Sequence, residues 1–266
     1  MTLTVMGMFR NESWIMNEWI QHYKNEGATH FILIDNDSTD DWRKTIKEEY
    51  LTDKNIIWTE LHGNVRDQQV MIYNKCLKEF HPKTEWILPI DFDELLYSRK
   101  GFKTIVEYLD TLPEDVSQVK VPWKMFGSSG LVEQPESVAK SFVYMDQDLV
   151  IDDNLKVHEE SHTKSIARIS SVESLNLHAH KIKSGKSIVV SGEKVEDDMR
   201  PWVKCEDISN NPLHCNHYFT QSEQYFYEKQ ITRSGGNNPT RKKDMNWFNE
   251  NKDKSTFDDE LATKTY

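Results

Sequence analysis

The chain alternates short apolar runs with stretches whose apolar residues recur at helical spacing, and few architectures accept that rhythm. Leu3–Met8, Phe31–Ile34, Ile56–Trp58, Trp86–Ile90 and Val119–Trp123 read as buried strands. Ile15, Trp19, Ile20 and Tyr23 share one helical face ahead of Gly27, which stands where a left-handed helix cap belongs. Val70, Ile72, Tyr73, Cys76, Leu77 and Phe80 repeat the pattern before His81-Pro82 ends it. Strand–helix–strand units of this kind build a mostly parallel sheet with crossover helices, an α/β fold of Rossmann type.

After Trp123 the rhythm changes to an elaborated C-terminal region. Phe126-Gly-Ser-Ser-Gly130 reads as a loop, and Ser165–Ile169, Leu175–His180 and Ser187–Val190 as short strands. Thr220-Gln-Ser-Glu223 has the form of a capping box opening a helix with Tyr225, Phe226 and Ile231. The division expected is a domain over 1–235, with halves 1–123 and 124–235, followed by a polar extension, 236–266, as a peripheral helix or loose tail. No internal repeat is visible.

Charge excludes one class of partner. With 33 Lys and Arg against 44 Asp and Glu, the net charge of −11 opposes a phosphate backbone, and no basic stripe offsets it, so nucleic acid is not an expected partner. Cys76, Cys205 and Cys215 are odd in number and widely spaced, which fits a reducing, cytoplasmic setting. No run approaches the ~20 apolar residues of a membrane span, so a soluble chain is expected. A zinc site from Cys205, His214, Cys215 and His217 is disfavoured by its crowded spacing.

The chemistry gathers where strands end. Trp86-Ile-Leu-Pro-Ile-Asp91-Phe-Asp93-Glu94 runs an apolar strand into three carboxylates. If the strand continues, Asp91 and Asp93 face one side and can share a divalent cation, at the end of the sheet where open α/β folds bind ligands. Phe31-Ile-Leu-Ile-Asp35-Asn36-Asp37 repeats the arrangement, with Asp35 and Asp37 as candidate acceptors for a nucleoside, while Ser38 to Asp41 also suit a helix cap.

These segments, in this order, resemble the family-2-like and family-92-like glycosyltransferases of the GT-A fold. Arg10-Asn11-Glu12 followed by Glu18-Trp19 is similar to their opening "(K/R)NE…EW" segment. Gly27 to Asp40 resembles "GxxHFxxxDNxSxD", and Asp91-Phe92-Asp93-Glu94 their acidic metal motif. Trp123 to Gly130 resembles "WxxFGSSG", Lys164-Ser165-Ile166 "KSI", and Asn216 to Ser222 "NHYxTKS", with Gln221 where the family usually has Lys.

The resemblance implies a metal-dependent transferase that moves a sugar from a nucleotide-sugar, UDP-linked, to a hydroxyl of a glycan or glycoconjugate. It implies that Asp91 and Asp93 hold Mn²⁺ or Mg²⁺ against the donor diphosphate, that His180 or His217 completes the metal shell, and that Arg10, Asn11 and Glu12 lie on the donor side. Arg66 and Lys164 are candidate cations for the phosphates. An inverting transfer needs a carboxylate base. Glu133, Glu136, Asp152, Asp153, Glu193, Glu196, Asp197 and Asp198 are candidates, with Asp152 and Asp153 preferred. A nucleotidyltransferase would share the acidic site but wants a Gly- and Lys-rich triphosphate loop, and a non-catalytic sugar-binding module would not need intact aspartates.

Overall fold

The first-half runs become the centre of the sheet. In the computed structural model, which describes residues 1–63, 68–80, 83–146, 160–196, 198–204, 210–232 and 244–266, β1 (Leu3–Phe9) lies between β2 (His30–Asn36) and β4 (Trp86–Pro89). β3 (Ile56–Leu61) flanks β2, and all three pairings are parallel. Parallel neighbours require crossovers, which α1 (Met16–Asn25) and α2 (Gln69–Phe80) help supply. α1 buries Met16, Trp19, Ile20, His22 and Tyr23, and α2 buries Ile72, Tyr73 and Cys76, so each face of the sheet has its own apolar layer. Gly27 takes φ +90° after α1, and a β-carbon there would lie 2.9 Å from Val106 Cγ2.

The second half interleaves with the first. β5 (Glu94–Ser98), β6 (Val116–Met125), β7 (Glu160–Arg168), β8 (Lys186–Val189), β9 (Trp202–Lys204) and β10 (Leu213–His217) follow. The main path runs β8-β6-β7-β4-β1-β2-β3. β7 is antiparallel to β4, β6 and β9. β10 is parallel to β6 and antiparallel to β5, which carries the chain back over the acidic segment.

Two local expectations are corrected. Residues 175–180 are not a strand: Asn176 Oδ1 accepts from Leu177 N–H at 2.7 Å, and His180 Nδ1 accepts from Asn176 N–H at 3.1 Å. Such side-chain bonds to the local backbone compete with a ladder. The helix cap is Ser222 rather than Thr220, its Oγ accepting from Tyr225 N–H, and the helix opens at once into a π-helical turn, Tyr227–Thr232.

Residues 244–266 carry a short helix, Met245–Asn251, and then fold onto the domain. Thr256 and Phe257 pair antiparallel with Tyr144 and Met145. Asp258 pairs with Lys124, Glu260 with Arg99 at 2.6 Å, and Lys264 with Glu26. Ser128 N–H reaches Lys252 O at 2.8 Å, and a β-carbon on Gly127 would sit 2.4 Å from that oxygen, so the Gly/Ser loop is cut to receive this segment. A loose tail is thus not what these residues form. Among the described residues no helix is long and apolar enough to cross a membrane.

Candidate active site

β1, β2 and β4 aim their carboxyl ends at one cleft of about 460 Å³, lined among others by Arg10, Asn36, Asp91, Asp93, His217 and Lys229. The position is the one where parallel sheets leave a crevice for ligands.

The acidic segment turns instead of continuing as a strand. β4 stops at Pro89, Glu94 N–H bonds Asp91 O at 3.2 Å, and Asp91 N–H bonds Glu94 Oε2 at 3.1 Å. Both aspartates still reach the cleft because Phe92 between them dives into the core, stacked on Trp19 at 4.4 Å and 10°. α1 then ties down the turn's backbone. Trp19 Nε1 donates to Asp91 O at 3.1 Å, and Tyr23 donates to Glu94 O while accepting from Leu96 N–H, each at 3.0 Å. Gly7 on β1 makes room, since a β-carbon there would meet Phe92 at 2.9 Å and Trp19 at 3.2 Å.

Each aspartate faces a lysine. Lys164 lies 2.6 Å from Asp91 and 3.1 Å from Glu94, and Gln69 donates to Asp91 at 3.1 Å. Burial pushes the Asp91 carboxyl up, but Lys164 outweighs it and holds it down at about 2. Burial pushes Glu94 up to about 8, which Lys164 opposes and Asp91 and Asp93 reinforce. Lys229, on the π-helical turn, lies 2.7 Å from Glu12 and 3.6 Å from Asp93. The sequence reading overlooked Lys229. Its one signal was Tyr225, whose hydroxyl it bonds at i, i+4 spacing.

His217 joins the acidic site, and His178 lines the same cleft. The Nε2 of His217 is 3.9 Å from Asp93 Oδ1, and burial pushes the imidazole down to about 4 against the pull of Asp93, so the ring is neutral near pH 7. Its Nδ1, Glu94 Oε1 and Trp123 Nε1 are buried without hydrogen-bond partners among the described residues. Among the described residues no three His, Cys, Asp or Glu side chains form a ready ligand set, because Asp91 is drawn toward Lys164. Asp93 and His217 nevertheless fit a divalent cation: a carboxylate and a neutral imidazole are suitable donors, and their spacing lets both reach one ion. His180 does not fit. Both ring nitrogens are spent, Nδ1 on Asn176 N–H and Nε2 on Ser165 O at 3.1 Å, and the ring is fully buried.

The other expected donor-side residues separate. Arg10 and Glu12 line the cleft. Asn11 builds the neighbouring loop instead: its Oδ1 accepts from Thr39 N–H at 2.6 Å and Asp40 N–H at 3.1 Å. Asp35 is turned into the protein, accepting from Trp42 Nε1 and Ser38 N–H at 2.9 Å each, because strand alternation gives the cleft to Asn36. Asp37 stands exposed at φ +60° outside the cleft lining. Ser38 to Asp41 do not cap the next helix through a side chain; Asp40 accepts from Ser13 N–H and Ser38 from Asn11 N–H. Glu18 caps the helix Val138–Ser141, taking bonds from Ser137 Oγ, Val138 N–H and Ala139 N–H. Gln221, where the family usually has Lys, is buried and accepts from Gln134 Nε2 at 2.7 Å. Arg66, Asp152, Asp153 and Asp197 lie outside the described residues. Glu133, Glu136, Glu193, Glu196 and Asp198 are described and do not line the cleft.

No curated protein matches the chain. Among solved structures, Staphylococcus aureus TarS 1–349 is similar at 16% identity and a TM-score of 0.41, over 64% of this chain and 48% of that one. The mannosyltransferase PcManGT of Pyrobaculum calidifontis, solved with GDP-Man and Mn²⁺, is similar at 20% identity and a TM-score of 0.35, over 45% of this chain and 34% of that one. The chain thus spans under half the length of either. The profile of Glycosyltransferase family 92 matches residues 1–263, and the chain belongs to that family.

Proposed function

We propose that this chain transfers a sugar from a nucleotide-sugar, UDP-linked in this reading, to a hydroxyl of a glycan or glycoconjugate, with Mn²⁺ or Mg²⁺ and with inversion. The observation that carries the proposal is the meeting of Asp91, Asp93, His217 and Lys229 in a cleft at the carboxyl ends of three parallel strands, with the buried Lys164 paired to Asp91. Asp93 and His217 would hold the cation, with Asp91 beside it. When bound, the cation neutralises charge on the departing nucleoside diphosphate.

The residues of the chain do the remaining work. Lys164 keeps Asp91 ionised and fixed, so the site is set before ligand arrives. Lys229 offers a positive charge on the opposite side, where a donor phosphate can replace Asp93 as its partner. Arg10 and Asn36 border the nucleoside end. The acceptor proton is assigned to Asp152 or Asp153, to be tested by Asn substitution at each.

A panel of nucleotide-sugars incubated with Mn²⁺ and read by nucleoside diphosphate release tests the activity without a known acceptor. Release from one donor, abolished by EDTA, is the expected result. Release from none, together with no rise in melting temperature on adding UDP and Mn²⁺, would sink the proposal.

A further inference from the structure

His178 lines the cleft together with Asp91, and one of its ring nitrogens is used by neither the acidic turn nor the fold. Three successive residues of β7 set its place. Thr163 O accepts from His178 Nδ1 at 3.1 Å, Lys164 pairs with Asp91 at 2.6 Å, and Ser165 Oγ donates to the His178 carbonyl at 2.6 Å. All three are buried. The surrounding loop is held as firmly: Leu175 exchanges hydrogen bonds with the Asn74 amide at 2.8 and 2.9 Å, and His180 N–H donates to Gln118 Oε1 at 2.7 Å. The ring packs edge-on to Trp123 at 5.2 Å and against His162 at 5.1 Å. Backbone and ring are thus fixed before any ligand arrives.

A carbonyl can only accept, so Nδ1 carries the proton of the neutral ring and Nε2 presents a lone pair. Burial and the Lys164 charge push the imidazole down to about 4, which keeps it neutral near pH 7. The described residues give Nε2 no hydrogen bond and do not bury it, which leaves it open to the cleft that the ring lines. Such an atom selects its partner. Phosphate oxygens have nothing to donate to it at neutral pH, whereas a hydroxyl does. Position narrows the choice further. β7 lies on the side of β4 away from β1 and β2, so Asp91 stands between His178 and the end of the cleft lined by Arg10 and Asn36. A nucleotide-sugar runs in the order nucleoside, diphosphate, sugar. With the nucleoside at Arg10 and Asn36 and the diphosphate at Asp91 and Asp93, the hydroxyls that reach the β7 side are those of the sugar.

We propose that His178 Nε2 accepts a hydrogen bond from a hydroxyl of the sugar being transferred and so takes part in donor selection; the assignment rests on the transferase reading above. Calorimetry on the full chain at saturating Mn²⁺ tests it, with UDP, UDP-glucose, UDP-galactose and UDP-N-acetylglucosamine as probes. His178→Asn keeps an N–H for Thr163 O but loses the acceptor at Nε2, whereas His178→Gln keeps an acceptor near the Nε2 position. His178→Asn should weaken the tightest-binding UDP-sugar about tenfold and leave UDP within about twofold, and His178→Gln should recover most of the loss. His178→Phe, with a ring to pack against Trp123 but no acceptor, should show the same split between UDP-sugar and UDP. If folded His178→Asn or His178→Phe binds UDP-sugars as the parent does, or loses UDP and UDP-sugars alike, the assignment is overturned and the transferase reading stands. Binding of UDP but of none of the three UDP-sugars by the parent has the same meaning. A parent that binds neither UDP nor any UDP-sugar overturns both.

Discussion

Asp93 and Lys229 sit 3.6 Å apart and have opposite tasks in the proposed reaction. Asp93→Asn should lower transfer by about 10² or more while the protein stays folded, because the amide is a far weaker cation ligand of the same size. Turnover at saturating Mn²⁺, with circular dichroism as the control, checks this, and near-normal turnover would remove Asp93 from the chemistry. Lys229→Gln should weaken nucleoside diphosphate binding about tenfold and flatten its dependence on salt, measured by calorimetry at two ionic strengths. At this scale the sequence was legible where a residue's role follows from strand polarity. The run into Asp91 and Asp93 announces a charged crevice whatever the fold around it. Asp35 was misread because one step along a strand reverses a side chain, and only the structure shows that Asn36 takes the open side. Lys229 escaped notice because its place depends on a π-helical turn, which has no period to find.

The elements are fitted to one another by small contacts that fix the acidic turn. Gly7→Ala should destabilise the protein by roughly 1–3 kcal/mol and reduce nucleotide affinity, since the new methyl would press on Phe92 and Trp19 and shift the turn they hold. Urea unfolding and calorimetry on the same variant would show both losses, and a variant that kept parental affinity would mean the turn is held elsewhere. Glu18→Gln should cost roughly 1–3 kcal/mol in urea, because the carboxylate accepts three hydrogen bonds and the amide would turn a donor toward one of them. Three of the parallel strands of the first half, β1, β2 and β4, could be placed from the sequence because each is a continuous apolar run buried on both faces. Residues 175–180 could not, since Asn176 and His180 spend their side chains on the local backbone.

For the molecule as a whole, acid should be more damaging than composition suggests. Burial pushes His22, His178 and His180 down to about 4, so the unfolded chain binds their protons first. Their contribution is complete above the ordinary histidine value near 6.5 and is lost as pH falls toward 4. Glu26 and Glu94, raised by burial, work the other way, but these two carboxyls oppose the three imidazoles and also His217, lowered in the same way. The urea midpoint should therefore fall between pH 6.5 and pH 4.5, and a constant or rising midpoint would contradict the neutral buried rings. The charges clasped by residues 258–264 carry a different consequence. Lys124 and Glu26 are buried, and their partners Asp258 and Lys264 are made 134 and 238 residues after them. On a ribosome each would wait unpaired inside an otherwise assembled core, and a buried charge without its partner costs several kcal/mol. The domain stays half-settled until residues 258–264 have emerged, and that interval is when chaperones and proteases have their best access to it.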